Sequence, residues 1–192
     1  MAGSMSEYLQ ADRERLRRDL EKLRIEALKL GAEEAIPIEA KLIVVRDWVR
    51  LKCRYGCGSY GRWLTCPPYS PTPEETRRIL REYEVGVLLR FGPCLECGIE
   101  GATNIHEAVF KLERLAFLLG YYAAFGMACG PCNLCPECNV EEGVCRKSHT
   151  ARPSMEACGI DVYATVRNAC LELKVVTSYD QTPTCFGLVL IT

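Results

Sequence analysis

The chain has 192 residues, is 48% hydrophobic, and balances 24 basic against 25 acidic residues for a net charge of -1. A chain of that length buries roughly 70% of its unfolded surface, so it forms a core without disulfide staples, and its near-neutral balance gives no bulk attraction to nucleic acid or membrane. Its 13 cysteines are several times ordinary usage and odd in number, and with no apolar signal-peptide core among the first residues they read as reduced thiols of a cytoplasmic protein, used for metal or redox chemistry.

Residues 6–31 form an N-terminal amphipathic helix by pattern. Leu9, Leu16, Leu20, Leu23, Ala27 and Leu30 recur at helical steps, and Gly31 is a natural stop. The favoured reading lays this helix on the domain; the narrow, nearly heptad stripe leaves a homodimer seam as the alternative. Residues 35–192 read as one metal-binding α/β domain with cysteine-rich loops at 53–68 and 129–152. Ile36 to Val49, with Leu42-Ile43-Val44-Val45 inside it, is expected as a strand delivering the chain to Cys53. Glu74 to Tyr83 reads as a short helix opened by Pro73, with acidic residues in the first turn where the dipole favours them. Val85 to Phe91 is a continuous apolar run suited to a central strand.

Asn104 with Glu107 is a capping pair, and Ile105, Ala108, Val109, Leu112, Leu115, Ala116 and Leu119 then line one helical face. Tyr121 to Ala128 reads as a returning strand, so strand, helix and strand suggest a βαβ crossover. Helical residues around 154–158 and 161–170 follow, then strands at Leu173–Thr177 and Phe186–Ile191. The sum is α/β or α+β: a mixed sheet with packed helices, ferredoxin-like in one version, from which the cysteine loops emerge. The uncharged stretch from Leu115 to Pro136 is broken by Gly120, Gly126 and Gly130 and is too short in its apolar part to span a bilayer.

The chemistry concentrates in two constellations. Cys129-Gly-Pro-Cys132-Asn-Leu-Cys135-Pro-Glu-Cys138, continuing to Cys145, repeats a two-residue spacing that turns successive thiolates onto one concave side. Consecutive Cys-x-x-Cys steps are the local pattern of [4Fe–4S] ligation, whereas structural zinc uses separated pairs. The expected ligands are Cys132, Cys135, Cys138 and Cys145, with Cys129 spare. The second constellation is Cys53-x3-Cys57 and Cys66-Pro67-Pro68, among glycines 56, 58 and 61 that let backbone approach a bulky group. Its three thiols leave one position for a remote cysteine, a substrate or solvent. Cys94-Leu-Glu-Cys97 supplies that ligand in one reading and is a free or redox dithiol in the other.

Other polar candidates are fewer. His106, at a helix start, reads as solvated or capping; His149 behind Cys145 is a better substitute ligand. Arg152-Pro-Ser-Met-Glu156 is either an anion site at a helix N-terminus or, the favoured reading, an ion pair from Arg152 to Glu156 or Asp161 that pins the loop. Arg62 and Trp63 either screen a cluster or line a pocket. Cys158 and Cys170 in helical segments, and Cys185, read as structural. Nucleotide fingerprints and a Ser-His-Asp set are lacking, so catalysis would fall to the metal centre.

Two segments carry a resemblance. Lys52-Cys53-x3-Cys57-x2-Tyr60-Gly61 with Thr65-Cys66-Pro67-Pro68, and Gly130-Pro-Cys132-x2-Cys135-x2-Cys138 with Cys145-Arg146 and Ala151-Arg-Pro-Ser-Met-Glu-Ala-x-Gly-Ile-Asp161, resemble a prokaryotic family of predicted metal-binding proteins of unknown function, common among anaerobes and methanogenic archaea. The resemblance runs from about residue 40 to the C-terminus. It implies metal binding through the two cysteine groups and assigns no biochemical role.

The leading expectation is an iron–sulfur protein with one [4Fe–4S] cluster and a second in prospect, serving electron transfer or acting as redox accessory to an anaerobic enzyme, with a redox partner protein. The alternatives are an enzyme whose open iron site binds substrate and a zinc-stabilised interaction module.

Overall fold

The structure, a computed structural model, describes residues 5–93, 104–178, 180–181 and 183–192. Cys94 and Cys97 lie outside them.

Among the described residues four strands form one sheet in the order β1-β2-β4-β3, where β1 is Glu34–Glu39, β2 Val85–Pro93, β3 Phe125–Met127 and β4 Thr184–Leu190. Every neighbouring pair is antiparallel. β2 is the apolar run expected as a central strand, and it lies between β1 and β4 with Leu88 opposite both Ile36 and Leu188. β2 and β3 both oppose β4, so they run parallel to each other with β4 inserted between them. The strand–helix–strand unit is therefore a split crossover and not the adjacent parallel pair expected.

The side-chain alternation of β2 builds two cores, because successive residues face opposite sides of a sheet. Val87, Leu89 and Phe91 face a layer made by α1 (Met5–Lys29) and α4 (Ile105–Leu118), with Leu20, Leu23, Val109 and Leu112 buried against them. The lower half of the α1 stripe, from Leu16 to Leu30, thus packs in its own domain, while Leu9 is exposed. Leu88 faces the other way, with Leu188 and Leu190, onto Met155, Ile160 and Val166. Val166 belongs to α5 (Val162–Asn168), which starts where Asp161 accepts the Ala164 N–H.

Three expectations are corrected. The strand read over 36–49 ends at Glu39; a 3-10 turn covers Ala40–Leu42, and Val45 makes only an isolated bridge to Ile160. A helix then follows, α2 (Asp47–Gly56), so the chain reaches Cys53 on a helix. The strand read over 121–128 is confined to Phe125–Met127. Residues 173–177 form no strand: Val175 and Val176 are exposed and pair with no neighbour in the sheet. The helix α3 (Pro73–Leu80) forms as expected, opened by a reciprocal capping box between Thr72 and Glu75.

Candidate metal centre

Positions four apart share a helix face. Cys53 on α2 and Cys57, the residue that caps it, are such a pair. The chain then turns through the Gly61 N–H to Pro67 carbonyl bond, 2.8 Å, with Gly61 at φ +72°, and brings Cys66 back beside them. Cys53, Cys57 and Cys66 line one cavity of about 430 Å3.

The loop 129–152 is tied at its root. Ala128 N–H donates to Pro153 O at 2.8 Å and Met155 N–H to Ala128 O at 3.0 Å. Between these ties, Asn139 folds a tight turn by donating from Nδ2 to Glu142 Oε2 at 2.6 Å and to the Val144 carbonyl at 3.2 Å. That turn returns Cys145 to Cys132, Cys135 and Cys138, and the four thiols line a second, much smaller cavity of about 20 Å3 with Trp63, Leu64 and Thr65. Cys129 is not among its lining residues and packs beside the α1/α4 core.

The two groups are neighbours. Leu64 N–H points at Cys138 Sγ at 3.4 Å, joining the Cys-Pro-Pro loop to the four-cysteine loop. Burial pushes the Cys66 thiol up to about 12, and the charges of Cys57, Cys53 and Cys132 add to the rise. Burial also raises Cys132; the Leu134 N–H opposes this, and the thiolates of Cys145, Cys135 and Cys138 reinforce it. Cys53 is raised by burial first and by Cys57 next. Thiols that are hard to ionise, crowded by other thiols, are groups that a cation would stabilise as thiolates.

The donor chemistry fits a thiophilic metal or cluster: four thiols line the small cavity and neither histidine does. As the side chains stand, no three Cys, His, Asp or Glu groups among the described residues are arranged so as to hold a metal ion. The cysteines at 53, 57, 66, 129, 132, 135, 138, 145, 158 and 170 are thiols, outside any disulfide.

Several polar expectations move. His106 is neither solvated nor capping. It is 1% exposed, and Nε2 lies 3.0 Å from Pro131 O, so the ring N–H donates to the loop 129–152 and holds its first turn. His149 is exposed and lines neither cysteine cavity. Arg152 pairs with Glu113 of α4 and not with Glu156 or Asp161. Arg62 is exposed, whereas Trp63 lines the small cavity. Cys158 is fully buried, but Cys170 is exposed in the turn after α5 at φ 59°.

The residues that sequence reading missed are long-range anchors. Arg50 Nη1 on α2 donates to Ser70 Oγ at 2.8 Å and to Ala157 O at 2.5 Å, and Ser70 Oγ donates to the same carbonyl at 2.7 Å. Thr76 Oγ1 of α3 donates to Cys158 O at 2.7 Å. The Ser-Met-Glu-Ala segment is thereby locked to the Cys53 helix and the Cys66 loop.

A family model described as "Predicted metal-binding protein (DUF2284)" matches residues 36–191. Neither a curated protein nor a solved structure matches the chain.

Proposed function

The chain belongs to this family of predicted metal-binding proteins, and from that premise we propose that it is an iron–sulfur protein carrying a [4Fe–4S] cluster on Cys132, Cys135, Cys138 and Cys145. The observation that supports this reading is the gathering of those four thiols, with neither histidine, around one cavity beside a second group of three. Cys53, Cys57 and Cys66 are the ligands of that second group. The cluster supplies one-electron chemistry when bound. The chain's own part is to donate the Leu64 and Leu134 N–H groups to sulfur, which draws charge from it, and to shield the group with Trp63. Loading requires the thiols to turn inward from the cavity wall. The protein works in the cytoplasm, in electron transfer or as redox accessory to an anaerobic enzyme, with a redox protein as its partner.

A second reading, a zinc ion held by the same four thiolates, is favoured by one observation: the four-cysteine cavity of about 20 Å3 is the size of a single water site and not of a cubane. Iron and acid-labile sulfide analysis of protein purified without oxygen separates the two. Equal iron and sulfide with a brown colour is the expected result; zinc without sulfide overturns the iron–sulfur reading.

A further inference from the structure

Helix α2 carries its apolar side chains on the wrong side for a helix that serves only its own core. Positions three, four and seven apart share a helix face. Trp48, Leu51 and Tyr55 make such a stripe, and they are 46%, 58% and 76% exposed. The inner side of α2 is held by other residues: Val49 is buried, and Arg50 bonds to Ser70 and Ala157. Losing the stripe would therefore cost the fold little. A contiguous exposed apolar stripe on a folded domain marks an interaction surface.

The charges around the stripe have one sign. Residues 46–63 hold the basic side chains Arg46, Arg50, Lys52, Arg54 and Arg62 against the single acid Asp47, in a chain whose net charge is -1. Asp47 is already paired with Arg77. Arg46, Lys52, Arg54 and Arg62 are exposed, and among the described residues none of them has an acidic partner. Arg54 lies over the Tyr55 ring, 5.4 Å from its centroid, so charge and aromatic surface are presented together. The stripe also ends at the thiol group. Tyr55 is two residues from Cys57, which is itself exposed, and Trp48 lines the same cavity as Cys53 and Cys57.

We infer that the outer face of α2, Trp48, Leu51 and Tyr55 within the basic rim of Lys52, Arg54 and Arg62, is the docking surface for an acidic electron-carrier protein. This rests on the redox reading above and adds where the partner sits and what charge it carries. An apolar centre rich in Trp, Tyr and Arg with a charged rim is the composition of a protein interface. Opposite potentials steer the encounter, and the exposed Cys57 gives an electron the shortest way in. A second copy of this chain is a poor occupant, because a two-fold contact would set the basic rim against itself. Nucleic acid would leave the aliphatic Leu51 unused, and the chain as a whole does not attract it.

The test titrates two acidic carriers, a bacterial-type ferredoxin and a flavodoxin, onto the full chain purified without oxygen. Basic cytochrome c and a short duplex DNA serve as controls, and binding is read by calorimetry. At least one acidic carrier is expected to bind with a dissociation constant of about 10 μM, as transient redox encounters are weak. Raising the salt from about 0.05 M to about 0.3 M is expected to weaken it about tenfold. Tyr55→Ala, and Lys52→Glu with Arg54→Glu, are each expected to weaken it about tenfold with an unchanged thermal melt, and Tyr55→Phe to keep it. Tyr122→Ala, at an aromatic 85% exposed in the turn after α4, is expected to change nothing. Binding by neither carrier, binding indifferent to Tyr55→Ala in a folded protein, or cytochrome c or DNA binding as tightly as the carriers each overturns the inference. So does a dimer that Tyr55→Ala splits in sedimentation. Metal and sulfide are measured on the same sample. Zinc without sulfide in a protein whose carrier binding still depends on Tyr55 refutes the cluster and leaves the docking surface standing; a cluster with Tyr55-independent binding does the reverse.

Discussion

Arg152 grips Glu113 at two points, Nε to Oε2 at 2.6 Å and Nη2 to Oε1 at 2.5 Å, with each side chain 12% exposed. The guanidinium also lies over the Phe110 and Phe125 rings, 5.6 and 5.4 Å from their centroids. Glu113 Oε2 accepts the Gly126 N–H at 2.7 Å as well. One carboxylate of α4 thus fixes both the β3 backbone and the exit of the cysteine-rich loop 129–152. Breaking a buried pair leaves the other charge unpaired, so Arg152→Met should destabilise the protein by about 3 kcal/mol. Arg152→Lys, which loses the fork, should recover only part of that. Urea unfolding of both variants with Glu113→Gln and the double variants checks this; additive losses would show that the two residues are not coupled.

Gly159 follows the 3-10 turn Glu156–Cys158 at φ +80°, and a Cβ there would stand 2.8 Å from Pro73 Cγ. Its carbonyl also accepts the Arg46 N–H that begins α2. Gly159→Ala combines left-handed strain with a clash, so a loss of about 2 kcal/mol is expected. An unchanged melting temperature would refute this.

Burial holds His106 below the usual imidazole value. The unfolded chain then binds the proton first, so its contribution is fully present above about pH 6.5 and is lost as pH falls toward the folded value, at up to ~1.4 kcal/mol per pH unit. Glutamine reaches the same Pro131 carbonyl with a donor that does not titrate. His106→Gln should therefore lose that part of the acid-side slope in urea unfolding at stepped pH. Identical slopes in the two proteins would mean that His106 does not carry it.

If the two thiol groups are separate ligand sets, cysteine substitutions sort by group. Cys135→Ser should lower the metal content of the four-cysteine group and spare the other, and Cys57→Ser should do the reverse. Metal analysis of both variants and of the double variant decides it; one substitution emptying both groups would mean a single shared centre.

Some of this was legible in the letters and some was not, for reasons that differ by segment. The α1 stripe, the run 85–91 and the Asn104–Glu107 cap are local patterns, and the elements they encode form where expected. Leu42 to Val45 has the composition of a strand but only Val45 finds a bridge, because the chain must turn into α2. That helix is eased into place by Arg50, whose partners Ser70 and Ala157 lie 20 and 107 residues away. No periodicity encodes such a contact. The site divides the same way. The spacing of Cys132, Cys135, Cys138 and Cys145 matches one cavity and that of Cys53, Cys57 and Cys66 another. The buried His106 bond to Pro131 and the Glu113 grip on Arg152, 25 and 39 residues apart, arise only when α4 packs beside the loop.

The most direct test is X-ray absorption at the iron and zinc edges of the full chain, purified without oxygen. A [4Fe–4S] cluster on the loop predicts an iron edge with a sulfur shell and an iron–iron shell, both weakened in Cys135→Ser. A zinc edge with four sulfur neighbours and no metal–metal shell would contradict it.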